Sequence, residues 1–176
     1  MKKKLAAWEW IGFGVVCFLG TVLHFAYDWS GENAIIAAFS AVNESTWEHM
    51  KIFFMPYFLF SAAELFALVR EYPNFLAAKA LGVLTGLAAI PAVFYTARGI
   101  AGGTQDWFNI SIFFFAAALS QLVSRGVMRK GKWDRPVWQI AGVVIFMSLA
   151  ALFVLFTYAP PQIPLFADPV TGLYGR

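Results

Sequence analysis

Residues 137–158 read VWQIAGVVIFMSLAALFVLFTY, twenty-two positions without one Asp, Glu, Lys or Arg. About 20 helical residues cross the hydrocarbon core of a bilayer, and a helix lying on a soluble core keeps a polar face. This stretch has none, so it is predicted to span a membrane. Four more apolar stretches extend the reading towards the N-terminus, near residues 107–123, 75–96, 52–69 and 8–27. The composition agrees. Of 176 residues, 60% are hydrophobic and only 13% charged, whereas a soluble domain carries about a quarter charged residues. That excludes an ordinary soluble domain and a disordered tail, and a single cysteine, Cys17, excludes a disulfide scaffold. The expected fold is all-α: an integral membrane helix bundle of about five transmembrane helices, forming a single membrane domain over residues 1–176.

The segments between the spans orient the bundle. With the N-terminus inside, the cytoplasmic side takes Lys2, Lys3, Lys4, Arg70, Lys79, Arg125, Arg129, Lys130, Lys132 and Arg135, ten of thirteen basic residues. Lys51, Arg98 and Arg176 are left outside. The positive-inside rule then favours N-in and C-out. The first span follows a basic cluster as a signal peptide does, but it is too long for an h-region and lacks a cleavage site, so it reads as a retained span. Trp8, Trp10, Trp29, Trp107, Trp133 and Trp138 lie near span ends, where an aromatic belt belongs. Residues 33–45 include an apolar run too short to cross, expected to be re-entrant or interfacial. Gly82, Gly86 and Pro91 mark close packing or a kink. The basic clusters set orientation, and no nucleic-acid partner is expected.

The acids gather opposite the lysines. Asp28, Glu32, Glu44, Glu48, Asp106 and Asp168 fall on the outer side, and both histidines, His24 and His49, lie near the same boundary. Two stretches, LHFAYDWSGEN (23–33) and VNESTWEHMK (42–51), hold most of the groups capable of chemistry. His24 and Asp28 are one helical turn apart, as are Glu44 and Glu48. Lys51 follows Glu48 at pairing distance. If the stretches meet, His24, His49, Glu48 and Asp28 are candidate ligands for zinc or another divalent metal. Equally, His24 or His49 is a candidate general base, with Glu44 and Glu48 as catalytic partners and Asn43 and Lys51 beside them.

Simpler roles compete with these. Ser45-x-x-Glu48 is a capping-box pattern ahead of an apolar run, with Asn43 another possible cap. An intramembrane histidine often bonds a neighbouring helix, and Cys17 reads as packing. There is no HExxH, GxSxG or glycine-rich phosphate loop. Glu64 lies inside the second span, where a charge is costly. It serves either an ion or proton path or an interhelical bond, with Ser61, Gln121 or Arg70 as partners. The C-terminal stretch YAPPQIPLFADPVTGLYGR carries four prolines and cannot form a regular helix. It is either a lid over the outer face or a plain tail.

Together, VNESTWEHMK, LHFAYDWSGEN and PPQIPLFADPVTGLYG resemble a family of small multi-pass bacterial membrane proteins known only as a domain of unknown function. The resemblance implies a bacterial cytoplasmic (inner) membrane location and the fold above. It implies no activity, cofactor or catalytic residue. The polar outer face is similar in chemistry, by analogy alone, to the intramembrane metal-dependent hydrolases of the alkaline ceramidase superfamily, which use three histidines where this chain has two. The bilayer is the expected partner, with a lipid or small polar ligand at the outer face. Three functions stay open: a hydrolase or acyltransferase for a lipid-linked substrate, a small-solute or ion transporter using Glu64, and a non-catalytic component.

Overall fold

The computed structural model describes residues 2–103 and 105–176, without the side chains of Lys2 and Asp106; the charges read at Lys2 and Asp106 therefore lie outside the described residues. Six helices follow one another: α1 (Lys2–Trp29), α2 (Ala34–Ala37), α3 (Thr46–Leu68), α4 (Phe75–Ala101), α5 (Asp106–Lys130) and α6 (Pro136–Tyr158). All but α2 are long and apolar enough to cross a membrane. Among the described residues there are no strands, only an isolated bridge between Ala167 and Tyr174 in the tail.

The helices outrun their apolar stretches. Helix α1 starts six residues before Trp8, and α5 runs seven beyond Val123 to end at Gly131, whose φ of 63° suits the left-handed residue that stops a helix. Lys and Arg are good helix formers, so hydrogen bonding continues after hydropathy has fallen. Helices α3 and α4 pass through Pro56 and Pro91 without interruption.

The five long helices run alternately up and down. Lys4 at the start of α1 pairs with Glu71 just past α3. Asn74, before α4, donates to the carbonyls of Val127 and Lys132 around the end of α5, both at 2.9 Å. These contacts define a basic end of the bundle. At the opposite end, called here the histidine end, lie the close of α1, α2, the start of α3 and the C-terminal tail. Aromatic and aliphatic side chains fill the middle, among them Phe53, Phe54, Val83, Leu87, Ala116 and Phe153.

Close packing at Gly82 and Gly86 is observed. A Cβ on Gly82 would lie 2.6 Å from Ser120 O, and one on Gly86 3.1 Å from Ala116 O, so α4 and α5 meet almost backbone to backbone. Gly142 does the same for α6, its absent Cβ lying 2.7 Å from Leu76 O. Lys79 corrects the sequence reading. It is not a loop charge but a fully buried residue inside α4, because its flanking alanines and Phe75 draw that turn into the bundle.

Candidate functional site

Two chain segments build the histidine end. After α1 the backbone turns sharply, with Gly31 and Glu32 both left-handed at φ 67° and 61°. Asn33 caps α2 by accepting from Ile35 N at 2.8 Å. The chain then folds back along α1, where Ala41 N donates to Leu23 O at 3.2 Å, next to His24. Ser45 caps α3 by accepting from Glu48 N at 3.3 Å. Its own N–H donates to Asn43 Oδ1 at 2.9 Å.

Half of the expected capping box is therefore present. Glu48 does not return to the Ser45 amide; its carboxylate accepts from Val42 N at 3.1 Å and pairs with Lys51 Nζ at 2.5 Å. Lys51 donates further to Ala37 O at 2.8 Å and Thr157 Oγ1 at 2.7 Å. Glu48 and Lys51 are both buried. Their charges satisfy each other and fasten the 37–42 loop to α6. Trp47 completes the anchor, packing on Phe153 and Phe166 with ring centroids 4.5 and 4.7 Å away.

With those residues held inside, Glu44 is left pointing outward between the histidines. Its Oε1 lies 3.7 Å from His24 Nε2 and its Oε2 3.5 Å from His49 Nε2. The imidazole centroids are 5.4 Å apart, and one ligating atom from each of the three residues fits within 4.8 Å of the others. Ligands about 2.0–2.1 Å from a tetrahedral ion stand roughly 3.4 Å from one another, so the Glu44 contacts are close to ligating separation. His49 Nδ1 lies 2.9 Å from Ser45 O. Donation there fixes the tautomer and leaves the Nε2 lone pair facing Glu44, the second contact a ligating histidine requires. His24 Nδ1 is buried without a partner, so only the Nε2 edge of that ring is engaged.

The other candidates stand elsewhere. Asp28 is exposed and outside this triad. Asp168 closes a turn within the tail, accepting from Val170 N and Thr171 Oγ1 at 2.8 Å each. The tail reaches both site segments. Asn43 Nδ2 donates to Gly175 O at 2.9 Å, and Arg176 donates to Tyr27 Oη at 3.1 Å and Glu32 O at 2.9 Å. Trp47 N donates to Leu165 O at 3.0 Å. The tail thus bolts α1 to the 42–51 stretch, while Glu44 stays about half exposed at its side chain.

A second polar cluster escaped the sequence reading. Glu64 pairs with Lys79 at 2.6 Å, rather than with Ser61, Gln121 or Arg70, and Lys79 also reaches Glu9 Oε1 at 3.1 Å. Gln121 Oε1 accepts from Lys79 at 3.1 Å, and Ser124 Oγ donates to both oxygens of Glu9 at 3.0–3.1 Å. The available signal was an acid in the first span and a lysine in the third, each flanked by apolar residues. Glu9 lies beside the basic N-terminal cluster and Lys79 near the start of its span, so by position each reads as a charge at a span end. Glu64 stands fifteen residues along α3 from His49, about 22 Å at 1.5 Å per residue, and the layer of Phe53, Phe54, Val83 and Leu87 lies between this cluster and the triad.

A family model covers residues 1–176, and the chain belongs to that family, a family of unknown function (DUF6512). No curated protein and no solved structure matches the chain.

Proposed function

We propose that this is a multi-pass protein of a bacterial cytoplasmic membrane that binds a divalent transition-metal ion, zinc by ligand type, through His24, Glu44 and His49 on the extracytoplasmic side. The observation carrying this reading is the convergence of three ligating side chains from two separate stretches, one atom from each within 4.8 Å of the others, with one histidine already oriented by a backbone carbonyl. The orientation rests on charge. With Lys79 removed from the count, eight basic residues with described side chains still belong to segments at the basic end.

Two histidines and one carboxylate form the ligand set of hydrolytic zinc centres, which keep a position for water. An ion held there lowers the proton affinity of that water and polarises a carbonyl or phosphoryl oxygen. The protein's part is to hold the ligands rigidly: Ser45 O aims His49, and the Glu48–Lys51 pair fixes the turn that presents Glu44. Beside the site, the exposed Phe25 ring lies 4.8 Å from the His24 ring and stacks on the exposed Trp29, an apolar flank suited to a lipid-linked ester or phosphoester entering from the bilayer surface. Hydrolysis of such a substrate is the function this arrangement supports best. A solute path from the histidine end through Glu64 is not favoured, because the aromatic and aliphatic layer intervenes.

The test is metal content. Protein purified in detergent without chelators is expected to carry one zinc per chain by elemental analysis, or to bind one by calorimetry. His24→Ala and His49→Ala are each expected to lose it while remaining folded. Failure of the folded wild type to bind zinc, cobalt or manganese overturns the reading.

A further inference from the structure

The buried cluster near the basic end has a charge problem of its own. Glu9 on α1, Glu64 on α3 and Lys79 on α4 are each 3% exposed or less, and they bring two carboxylates to one ammonium. Lys79 Nζ donates to Gln121 Oε1 and stands in ion-pair contact with Glu64 Oε2 at 2.6 Å and Glu9 Oε1 at 3.1 Å. Neither oxygen of Glu64 accepts a hydrogen bond inside the protein, and Gln121 Nε2 and Ser61 Oγ are likewise without a partner. An uncompensated buried charge at membrane depth is expensive, and an unmade hydrogen bond there adds to the cost.

The surroundings supply no second counter-ion in contact. Helix α6 carries no Asp, Glu, Lys, Arg or His. Helix α3 adds Tyr57, whose hydroxyl donates to Lys79 O at 3.4 Å. Helix α5 adds Arg125, which forms no ion pair among the described residues. Arg125 instead borders a cleft of about 50 Å³ between α1 and α5, whose wall includes Glu9, Gln121, Trp10, Phe13 and Leu122. The cleft leads from the side of the bundle to the Glu9 edge of the cluster.

We propose that the Glu9–Glu64–Lys79 cluster is a proton-binding site: it takes up one exchangeable proton, shared by the two carboxylates and exchanged with water through the α1/α5 cleft. A hydronium ion in the cleft gives up the proton and becomes water, and the proton bonds to a carboxylate oxygen. The cluster passes from one net negative charge to neutrality, and the O–H so formed gives the carboxyl pair a donor. Release reverses both steps and leaves the charge uncompensated where α1, α3 and α4 meet. The site is independent of the metal centre at the other end, and its test uses no metal.

Infrared spectroscopy of the full-length protein in lipid nanodiscs reads the carboxylic acid directly. At neutral pH the wild type is expected to show a protonated carboxyl C=O band that shifts down in D₂O. Glu64→Gln and Glu9→Gln each leave one carboxylate against one ammonium, so each is expected to abolish the band. Ala118→Phe, which fills the cleft, should keep the band and slow its exchange. The wild-type spectrum stands even if a variant fails to fold. Absence of the band in wild type, its survival in either folded glutamine variant, or unchanged exchange in folded Ala118→Phe overturns the proposal.

Discussion

The two polar clusters of this bundle are built on opposite principles. At the histidine end, the strongest charges are neutralised out of sight by the Glu48–Lys51 pair, and the groups left facing outward are Glu44 and two imidazoles. In the cluster near the basic end, Glu9, Glu64 and Lys79 are all turned inward, and the helices are knotted around one lysine. The first arrangement keeps ligating atoms accessible and lets buried neighbours hold them. The second spends its side chains on each other and leaves a mismatch of one charge. Polar residues in a membrane bundle therefore divide by what their neighbours have already satisfied, rather than by depth alone.

Removing the lysine is the strongest way to break this contrast. Lys79→Met leaves two buried carboxylates without the ammonium they share and is expected to cost about 3–5 kcal/mol, as for breaking a buried ion pair from one side. Thermal unfolding in detergent micelles checks it; a variant as stable as wild type would mean the cluster is not knotted by Lys79. Beside it, Gly82→Ala pushes a methyl against Ser120 O and the Tyr57 hydroxyl. Overpacking of that kind costs about 1–3 kcal/mol, and the same melts would read it.

At the histidine end the effects on stability should be smaller. Ser45→Ala removes the α3 cap, for about 1 kcal/mol, yet leaves the carbonyl that orients His49. Zinc binding should accordingly survive in Ser45→Ala, and calorimetry showing its loss would refute the division between holding and ligating groups. The smallest effect is expected at the exposed Lys4–Glu71 pair, where Lys4→Ala should shift stability by under about 1 kcal/mol.

The sequence was more legible at one end than at the other. The five spans followed from apolar length, and the gathering of His24, Glu44, Glu48 and His49 at one boundary followed from the lysine and arginine distribution. Periodicity within 42–51 does not reveal which of Glu44 and Glu48 faces inward. That depends on the loop doubling back so that Val42 N and Lys51 claim Glu48. Asp28, one turn beyond His24, has the spacing of a partner but is exposed and outside the triad. Glu64 was legible as costly, whereas its partner was not, because Lys79 lies only four residues into its helix and counted equally well as a loop charge. Pairings across three helices arise from tertiary packing and leave no mark on local spacing.

The central claim is that the outward-facing triad is a metal centre. Zinc stoichiometry, measured side by side on wild type, His24→Ala, Glu44→Gln and His49→Ala in micelles, tests it most directly. The account predicts one ion per wild-type chain and loss in all three variants, each still folded. Wild-type protein that is folded and binds no divalent metal, or variants that bind as wild type does, would contradict it.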